Sequence, residues 1–170
     1  MPIRVRYAPS PTGFLHIGGL RTALYNYLFA RHYGGEIILR IEDTDRARYV
    51  PGSVEQILES FAWAGIVFDE GPYLKNGQIL EKGSHSPYIQ SARLASYRQA
   101  AEELVANGKA YPCFCDSQRL TAIRSAQTAA HLPPMYDREC RGIAPELANE
   151  RRIRGEAHVI RLAVPAARKI

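Results

Sequence analysis

The chain has 170 residues, of which 46% are hydrophobic and 23% charged, a composition typical of a globular protein with one domain or a domain and a half. Its net charge of +5 fits a nucleic-acid partner, but an ordinary, slightly basic protein would carry it equally well. No apolar run approaches the roughly 20 residues of a membrane span and the first residues lack a secretory signal, so we predict a cytoplasmic protein with no membrane partner.

The first part of the chain predicts a βαβ unit. Residues 3–7 alternate apolar and polar side chains, which is typical of a strand. A proline-rich loop follows, and from Ile17 apolar residues recur at helical spacing until Gly34 and Gly35. Residues 36–41 predict a second strand, apolar enough to be buried on both faces. Strand, helix and strand in this order favour a parallel sheet.

The next segment continues the alternation of helices and short apolar runs. The spacing predicts a second helix over 54–62, a short third strand at 66–68 and a third helix over 94–105. Residues 69–86 are polar and rich in glycine, and they predict a loop.

A change of composition after the third helix predicts a second domain. All three cysteines lie there, a Pro-Pro pair at 133–134 breaks the chain, a short helix follows Pro145, and residues 158–162 predict a strand. The two expected domains are residues 1–92 and 93–170.

The loop after the first strand is predicted to bind a phosphate. Ligands of open parallel sheets bind beyond the carboxyl ends of the strands, and this loop lies there and begins a helix. Free N–H groups and the positive end of the helix dipole form an anion site. Gly18 and Gly19 would allow close approach, and His16 would add an imidazole donor. Neither a Walker loop nor a Gly-x-Gly-x-x-Gly pattern is present. The alternative is a loop histidine with glycines needed only for the turn.

The residues around this loop carry a family resemblance. His-Ile-Gly-Gly at 16–19 resembles the class I aminoacyl-tRNA synthetase motif His-Ile-Gly-His, although Gly19 stands where that motif has its second histidine. Ala-Pro-Ser-Pro-Thr-Gly-Phe-Leu at 8–15 and Leu-Arg-Ile-Glu-Asp-Thr-Asp-Arg at 39–46 make the chain similar to bacterial-type glutamyl-tRNA synthetases. Shorter matches extend the resemblance over essentially the whole chain, at residues 47–52, 69–72, 87–88, 90–91, 136–137 and 158–161.

The resemblance implies an α/β fold: the first half of a Rossmann-like class I catalytic domain, then an α+β insertion that binds the tRNA acceptor end. It implies ATP with Mg²⁺, L-glutamate and tRNA(Glu) as partners, and a monomer at full length. The glutamate α-carboxylate would attack the α-phosphate of ATP, where fixed positive dipoles stabilise the developing charge. The implied ATP-binding residues are Pro9, Thr12, Gly13, His16, Gly18 and Gly19, of which His16, Gly18 and Gly19 are the catalytic candidates.

The amino-acid site is also implied by the family. The side-chain carboxylate of glutamate needs a fixed cation, and arginine offers a bidentate one. The resemblance assigns this role to Arg6, the substrate ammonium to Glu42, and further contacts to Ala8 and Ser10. Arg6 and Glu42 lie near the ends of consecutive predicted strands, so both could face one crevice. Taken alone, Arg6 is better explained as a solvated arginine at a strand end.

The acidic loop after the second strand has several possible interpretations. Residues 42–45, Glu-Asp-Thr-Asp, are typical of a solvated turn in which aspartates cap the backbone. A magnesium site is the weaker alternative. We expect Asp45 and Arg46 near the tRNA 3′ end.

The cysteines suggest a metal site. Cys113, Cys115 and Cys140 would suit Zn²⁺ in a closed tetrahedral site. Some members of the family and of its short paralogue carry a similar Cys-x-Cys…Tyr-x-x-x-Cys pattern, which implies Tyr136 as the fourth ligand. His131 is the conventional alternative, and three reduced cysteines without a metal are the other.

Other functions remain as alternatives. The short paralogue, a glutamyl-queuosine tRNA(Asp) synthetase, glutamylates a modified tRNA base, but residues 25–27 and 42–46 look more like the full synthetase. Pro-Ser-Pro-Thr-Gly at 9–13 argues against a glutaminyl enzyme, and residues 40–46 argue against a nucleotidyltransferase. A noncatalytic tRNA-binding fragment is the alternative from another class.

One expected element of the family is absent from the sequence. Class I synthetases of this type carry a Lys-Met-Ser-Lys-Ser-type loop, and the only late basic residues here are Arg168 and Lys169, without its glycine or serine context. We therefore expect the 170-residue chain to be incomplete and inactive by itself.

Overall fold

The protein is described by a computed structural model over residues 3–165, and it divides into two compact units, Met1–Ala95 and Ser96–Ile170. Both units combine helices with short strands, which confirms the predicted α/β class. In the described part of the chain, no helix is long and apolar enough to cross a membrane. The predicted basic pair Arg168 and Lys169 lies outside the described residues.

The first unit begins with the predicted βαβ unit. Strand β1 (Arg4–Tyr7) pairs in parallel with β2 (Glu36–Leu39), and helix α1 (Ile17–His32) connects them. The chain leaves α1 through Gly34, whose φ of 61° is a left-handed conformation that glycine adopts without strain. The parallel pairing of β1 with β2 and the helix that ends before Gly34 were both predicted.

The two faces of the second strand differ in burial. Ile37, Leu39 and Ile41 are fully buried, whereas Ile38 is only partly buried. The prediction of a strand buried on both faces therefore holds for one face only. That face belongs to the same buried core as the apolar stripe of helix α2 (Ser53–Trp63). The α2 residues buried in this core are Val54, Ile57, Leu58 and Phe61.

The predicted third strand at 66–68 is wrong. Residues 66–68 are not in a strand, because side chains occupy the hydrogen-bonding groups that a strand there would need. The backbone N–H of Ile37 donates to Asp69 Oδ2 at 2.7 Å, and Arg31 Nη2 donates to the carbonyl of Val67 at 3.0 Å. The chain instead rejoins the sheet at Glu70, through an isolated parallel bridge to Ile38.

The predicted loop at 69–86 is also wrong, because it contains an antiparallel hairpin of β3 (Gly71–Lys75) and β4 (Gln78–Lys82). The turn between them is Asn76-Gly77, and both residues have positive φ, 52° and 75°. Asn-Gly with two positive φ values is the sequence signature of a two-residue hairpin turn. The signal was therefore present, although the surrounding glycines and charges obscured it.

The second unit pairs strand β5 (Ala110–Cys113) with β6 (Val159–Leu162) in antiparallel orientation. Helix α3 (Leu94–Ala106) precedes β5, and α4 (Ser117–Ala129) and α5 (Pro145–Ile153) lie between the two strands. Helices α3 and α5 and strand β6 were predicted. Strand β5 was missed because it contains a proline, and α4 because its mostly polar sequence shows no apolar stripe.

Candidate functional site

The loop between β1 and α1 ends in a helix cap made by His16. Its backbone is extended, with φ −93° and ψ 162°, and its Nδ1 accepts a hydrogen bond from the N–H of Gly18 at 3.1 Å. Because Nδ1 is an acceptor, a neutral imidazole carries its proton on Nε2, which is available to donate to a ligand. The Gly18 N–H, predicted to face a phosphate, is thus already bonded to His16.

The same loop lines a cavity of about 330 Å³. Of the residues predicted from the sequence, the structure brings Pro9, Ser10, Thr12, Gly13 and His16 together around it. The cavity is not lined by the remaining residues predicted to bind ATP or glutamate, which are Arg6, Ala8, Gly18, Gly19 and Glu42. The sequence interpretation missed the apolar part of the wall, which consists of Tyr7, Phe14, Leu15 and Ile57.

Gly19 lies against the side chain of Tyr7. A Cβ atom at residue 19 would be 2.7 Å from Tyr7 Oη and 2.9 Å from Leu15 Cδ1, closer than atoms pack without a shift. Tyr7 itself is held edge-on against Phe61, with ring centroids 5.6 Å apart. Burial raises the pKa of the Tyr7 hydroxyl, so it stays protonated at neutral pH. A side chain at residue 19 would therefore require Tyr7 or Leu15 to shift.

Arg6 lies on β1, whereas Glu42 lies in the loop after β2, and the two side chains have different surroundings. Arg6 is exposed on β1, on the opposite face of the strand from Tyr7, since side chains alternate along a strand. Within residues 3–165, no ion pair is found for Arg6. Glu42 pairs with Arg40, whose Nη2 is 2.6 Å from Glu42 Oε1, and its backbone N–H donates to the carbonyl of Pro9 at 2.9 Å. That backbone bond fixes Glu42 beside the loop after β1.

The acidic loop after β2 is held by Asp43, which the sequence interpretation did not single out. Asp43 is buried and accepts hydrogen bonds from the backbone N–H of Ser91 at 2.8 Å and from its hydroxyl at 2.6 Å. Asp45 instead pairs with Arg48 at 2.6 Å, and the hydrogen bond from Arg48 lowers the pKa of its carboxyl. Asp45 and Arg46 are both solvent-accessible, as residues near a tRNA end would need to be.

A second cluster of polar side chains lies in the second unit. The sulfurs of Cys113, Cys115 and Cys140 all lie within 4.8 Å of one another, and no disulfide joins them. Over the described residues, this is the one group of three or more cysteine, histidine or carboxylate side chains arranged closely enough for a metal. Tyr136 Oη joins the cluster, 3.2 Å from Cys113 Sγ and 3.4 Å from Cys115 Sγ. His131 is exposed and is not part of the group.

The thiols of this cluster differ in acidity. Burial acts to raise the pKa of Cys113, but its interactions with Tyr136 and Arg161 outweigh burial and bring the pKa to about 7. Burial raises the pKa of Cys115. Burial and the neighbouring thiols together raise the pKa of Tyr136. A divalent cation would favour the deprotonated forms of all these groups, because each is a metal ligand only without its proton.

Comparison with known proteins places these features in a family. The family model "tRNA synthetases class I (E and Q), catalytic domain" matches residues 2–170. The chain is 52% identical over 171 residues to a glutamate–tRNA ligase of Finegoldia magna, covering 99% of this chain and 35% of that relative. It is 57% identical over 141 residues to one of Dehalococcoides mccartyi, covering 83% of this chain and 28% of that relative.

Solved structures give the same result. The structure of a glutamate tRNA ligase from Elizabethkingia meningosepticum in complex with its amino acid is 42% identical, with a TM-score of 0.83. The similarity covers 99% of this chain and 34% of that one. The chain thus spans about a third of the length of the relatives that it matches.

Proposed function

Because this chain belongs to the class I tRNA synthetases of the E and Q type, we propose that it is the N-terminal part of a glutamate–tRNA ligase. The complete enzyme would join L-glutamate to ATP as glutamyl-adenylate and then transfer the glutamyl group to the 3′ end of tRNA(Glu). The observation that carries the proposal is the identity of about half the residues over nearly the whole chain with proteins named glutamate–tRNA ligase. Cytoplasmic location and a monomeric full-length enzyme are part of the same proposal.

The cavity lined by the loop between β1 and α1, called here the cavity beside α1, is proposed to receive the phosphates of ATP. His16 Nε2 would donate to an α-phosphate oxygen, because Nδ1 is engaged by the N–H of Gly18. The helix start would add its dipole, with Gly18 and Gly19 allowing close approach of the backbone. Pro9, Thr12 and Gly13 would form the opposite side of the nucleotide site. ATP would bring Mg²⁺, which neutralises charge on the phosphates.

The glutamate site is proposed to lie between the ends of β1 and β2. Arg6 would bind the side-chain carboxylate of the substrate as a bidentate pair, and its side chain is exposed and available for that contact. Glu42 would bind the substrate ammonium, with Ala8 and Ser10 completing the contacts. Since Arg40 already pairs with Glu42, the ammonium would share or replace that pairing. The chemistry of the substrate, two carboxylates and one ammonium, matches these two side chains.

The second unit is proposed to be the start of an insertion that binds the tRNA acceptor end, so that residues 1–92 are catalytic and 93–170 bind tRNA. Its antiparallel strands and separate helices are an α+β arrangement, which supports a module inserted into a parallel sheet. Asp45 and Arg46 would contact the tRNA 3′ end from the catalytic side. Their exposure supports this role.

The cysteine cluster is proposed to bind Zn²⁺ with Tyr136 as the fourth ligand. In a tetrahedral site with Zn–S bonds of about 2.3 Å and a Zn–O bond of about 2.0 Å, sulfurs lie about 3.8 Å apart and the oxygen about 3.5 Å from each sulfur. Cys115 Sγ and Cys140 Sγ are 3.5 Å apart, and Tyr136 Oη lies 3.2 and 3.4 Å from two sulfurs. The donor set is therefore close to the required size, and Zn²⁺ there would serve structure, since four protein ligands leave no open position.

One experiment separates the proposed enzyme from its alternatives. Full-length protein is tested for glutamate-dependent exchange of pyrophosphate into ATP and for attachment of labelled glutamate to tRNA. The expected product carries glutamate on the terminal ribose of tRNA(Glu), as an ester that mild alkali removes. Glutamate on a modified anticodon base of tRNA(Asp) would favour the short paralogue, and tRNA binding without either reaction would favour a noncatalytic fragment.

A further inference from the structure

The proposed zinc site has a charge that its ligands cannot balance. Three thiolates and one phenolate carry more negative charge than a divalent cation offsets, and Cys113 and Cys140 are buried. Burying net charge is unfavourable unless an opposite charge is near. The side chains beside the ligands therefore determine whether this ligand set can hold a metal.

Arg161 on β6 is placed to supply the missing charge. Its guanidinium carbon lies 4.1 Å from the centre of the Tyr136 ring, within the range of a strong cation–π contact. The strand register pairs Arg161 with Tyr111, so Arg161 lies on the same face of the strand pair as Cys113, two residues further along β5. Arg161 Nε is buried and has no hydrogen-bond partner among the described residues.

Two other arginines that lie against the cluster or its neighbours, Arg119 and Arg151, have their charges offset already. Arg119 donates to Cys115 Sγ at 3.4 Å, but both of its terminal nitrogens bind the carboxylate of Asp137, at 3.2 and 2.5 Å. Arg151 lies 4.0 Å over the ring of Phe114, and it pairs with Glu156. Within residues 3–165, no carboxylate pairs with Arg161. Arg138 and Arg141, which line a cavity with Tyr136 and Arg161, have no carboxylate partner there either, but of these three only Arg161 stacks on the ring of a proposed ligand.

We propose that Arg161 is a positioning residue of the metal site: its guanidinium offsets the net negative charge of the ligands and holds the Tyr136 ring toward the metal. This inference rests on the proposed zinc site. It goes beyond that site because it attributes the use of Tyr136 as a ligand to Arg161, which itself binds no metal. Neighbours of metal ligands orient them and tune their affinity in this way. A neutral side chain at residue 161 would leave the ligand set overcharged and the ring unsupported.

The test compares zinc affinity in Arg161→Gln and Arg151→Gln, measured by competition with a chromophoric chelator. Arg151 is the matched control, because it stacks on an aromatic ring at nearly the same distance but has a carboxylate partner. Loss of a residue that supports metal ligands weakens affinity about 10- to 100-fold, which is the expected effect of Arg161→Gln. Arg151→Gln is expected to change it less than about threefold. Thermal unfolding of the metal-free proteins checks that each variant folds.

A double-mutant cycle with Tyr136→Phe distinguishes the proposed role of Arg161 from a merely structural one. If Arg161 acts through the phenol, Arg161→Gln should weaken zinc binding much less in the Tyr136→Phe background. Arg161→Lys keeps the charge without the planar contact, so it should retain part of the lost affinity and the visible spectrum of tetrahedral Co²⁺. This variant also serves if Arg161→Gln does not fold.

The outcomes are distinguishable. Equal effects of Arg161→Gln and Arg151→Gln, or an unchanged effect of Arg161→Gln without the phenol, would overturn the inference while leaving the zinc site standing. Absence of zinc binding by the unaltered chain would overturn both. Weakening that is specific to residue 161 and depends on Tyr136 would support both.

Discussion

The hydroxyl group of Tyr7 occupies the space into which any side chain at Gly19 would extend, since a Cβ there would lie 2.7 Å from Tyr7 Oη. The last residue of β1 and the first turn of α1 are thus matched in size. The match keeps the helix start close to the strand end, where the proposed phosphate site lies. Gly19 was a predicted site residue, whereas Tyr7 was not.

We predict that Gly19→Ala destabilises the protein by about 1–3 kcal/mol, the usual cost of overpacking, although alanine is otherwise the better helix residue. Gly13→Ala is the control, because a Cβ at residue 13 would meet nothing within 4 Å. Urea unfolding measures both. Combining Gly19→Ala with Tyr7→Ala should remove most of the clash, and strictly additive effects of the two changes would contradict the steric match.

Arg6→Ala in the complete enzyme should cost about 2–5 kcal/mol in kcat/KM for glutamate, because the substrate carboxylate would be left without its partner. The affinity for ATP should hardly change, since Arg6 is not among the residues lining the cavity beside α1. Pyrophosphate exchange at varied glutamate and ATP concentrations separates the two. A loss of less than about threefold for glutamate would contradict the assignment.

Protein purified without chelator should contain about one zinc per chain, as expected for a single closed site. Cys113→Ser together with Cys115→Ser should abolish it, because these residues supply two of the proposed ligands. His131→Ala is the control and should leave the zinc content unchanged, since His131 is not part of the cluster. Elemental analysis measures all three, and zinc lost in the His131 variant would point to the conventional ligand instead of Tyr136.

Asp69 should make the first unit less stable in acid. Its desolvation opposes ionisation, but hydrogen bonds from Arg31 and from the N–H of Ile37 outweigh it and lower its pKa below the ordinary 3.8. The stabilisation is therefore fully present above that ordinary value and is lost as pH falls through the lower, folded-state pKa.

Asp69→Asn should lower stability at pH 7 by about 1–3 kcal/mol and flatten this acid dependence. Asp45→Asn, which alters an exposed pair with Arg48, should have a much smaller effect at neutral pH. Unfolding free energies measured from neutral to acid pH test both variants. An unchanged acid dependence in Asp69→Asn would contradict the assigned role.

The 170-residue chain by itself should not charge tRNA with glutamate, because the sequence contains no lysine-rich loop to stabilise the pyrophosphate leaving group. Removing even one such source of charge stabilisation typically costs about 10²- to 10³-fold in rate. Single-turnover aminoacylation by the purified chain, compared with a full-length relative, measures this. Charging within about a hundredfold of the relative would contradict the expectation.

Local patterns in the sequence were sufficient for the main elements of the first unit and for the family. The spacing of apolar residues predicted β1, α1, β2 and α2 because strands and helices bury side chains with periods that are visible within a few residues. The motifs at residues 8–19 and 39–46 predicted a glutamyl-tRNA synthetase through their resemblance to that family, and the comparisons with known proteins agree. Elements without an apolar stripe, such as α4, carry no such period and were missed.

The sequence by itself thus determined the α/β class, the family and the residues that could carry the chemistry, whereas the tertiary structure decided which of those residues meet. Asp43 binds Ser91, 48 residues away, and Arg161 on β6 stacks on the ring of Tyr136, which lies in a different part of the second unit. The steric match of Tyr7 with a later glycine is of the same kind. Such contacts depend on how separate elements pack, and no local periodicity reports distances between residues that are far apart in the chain.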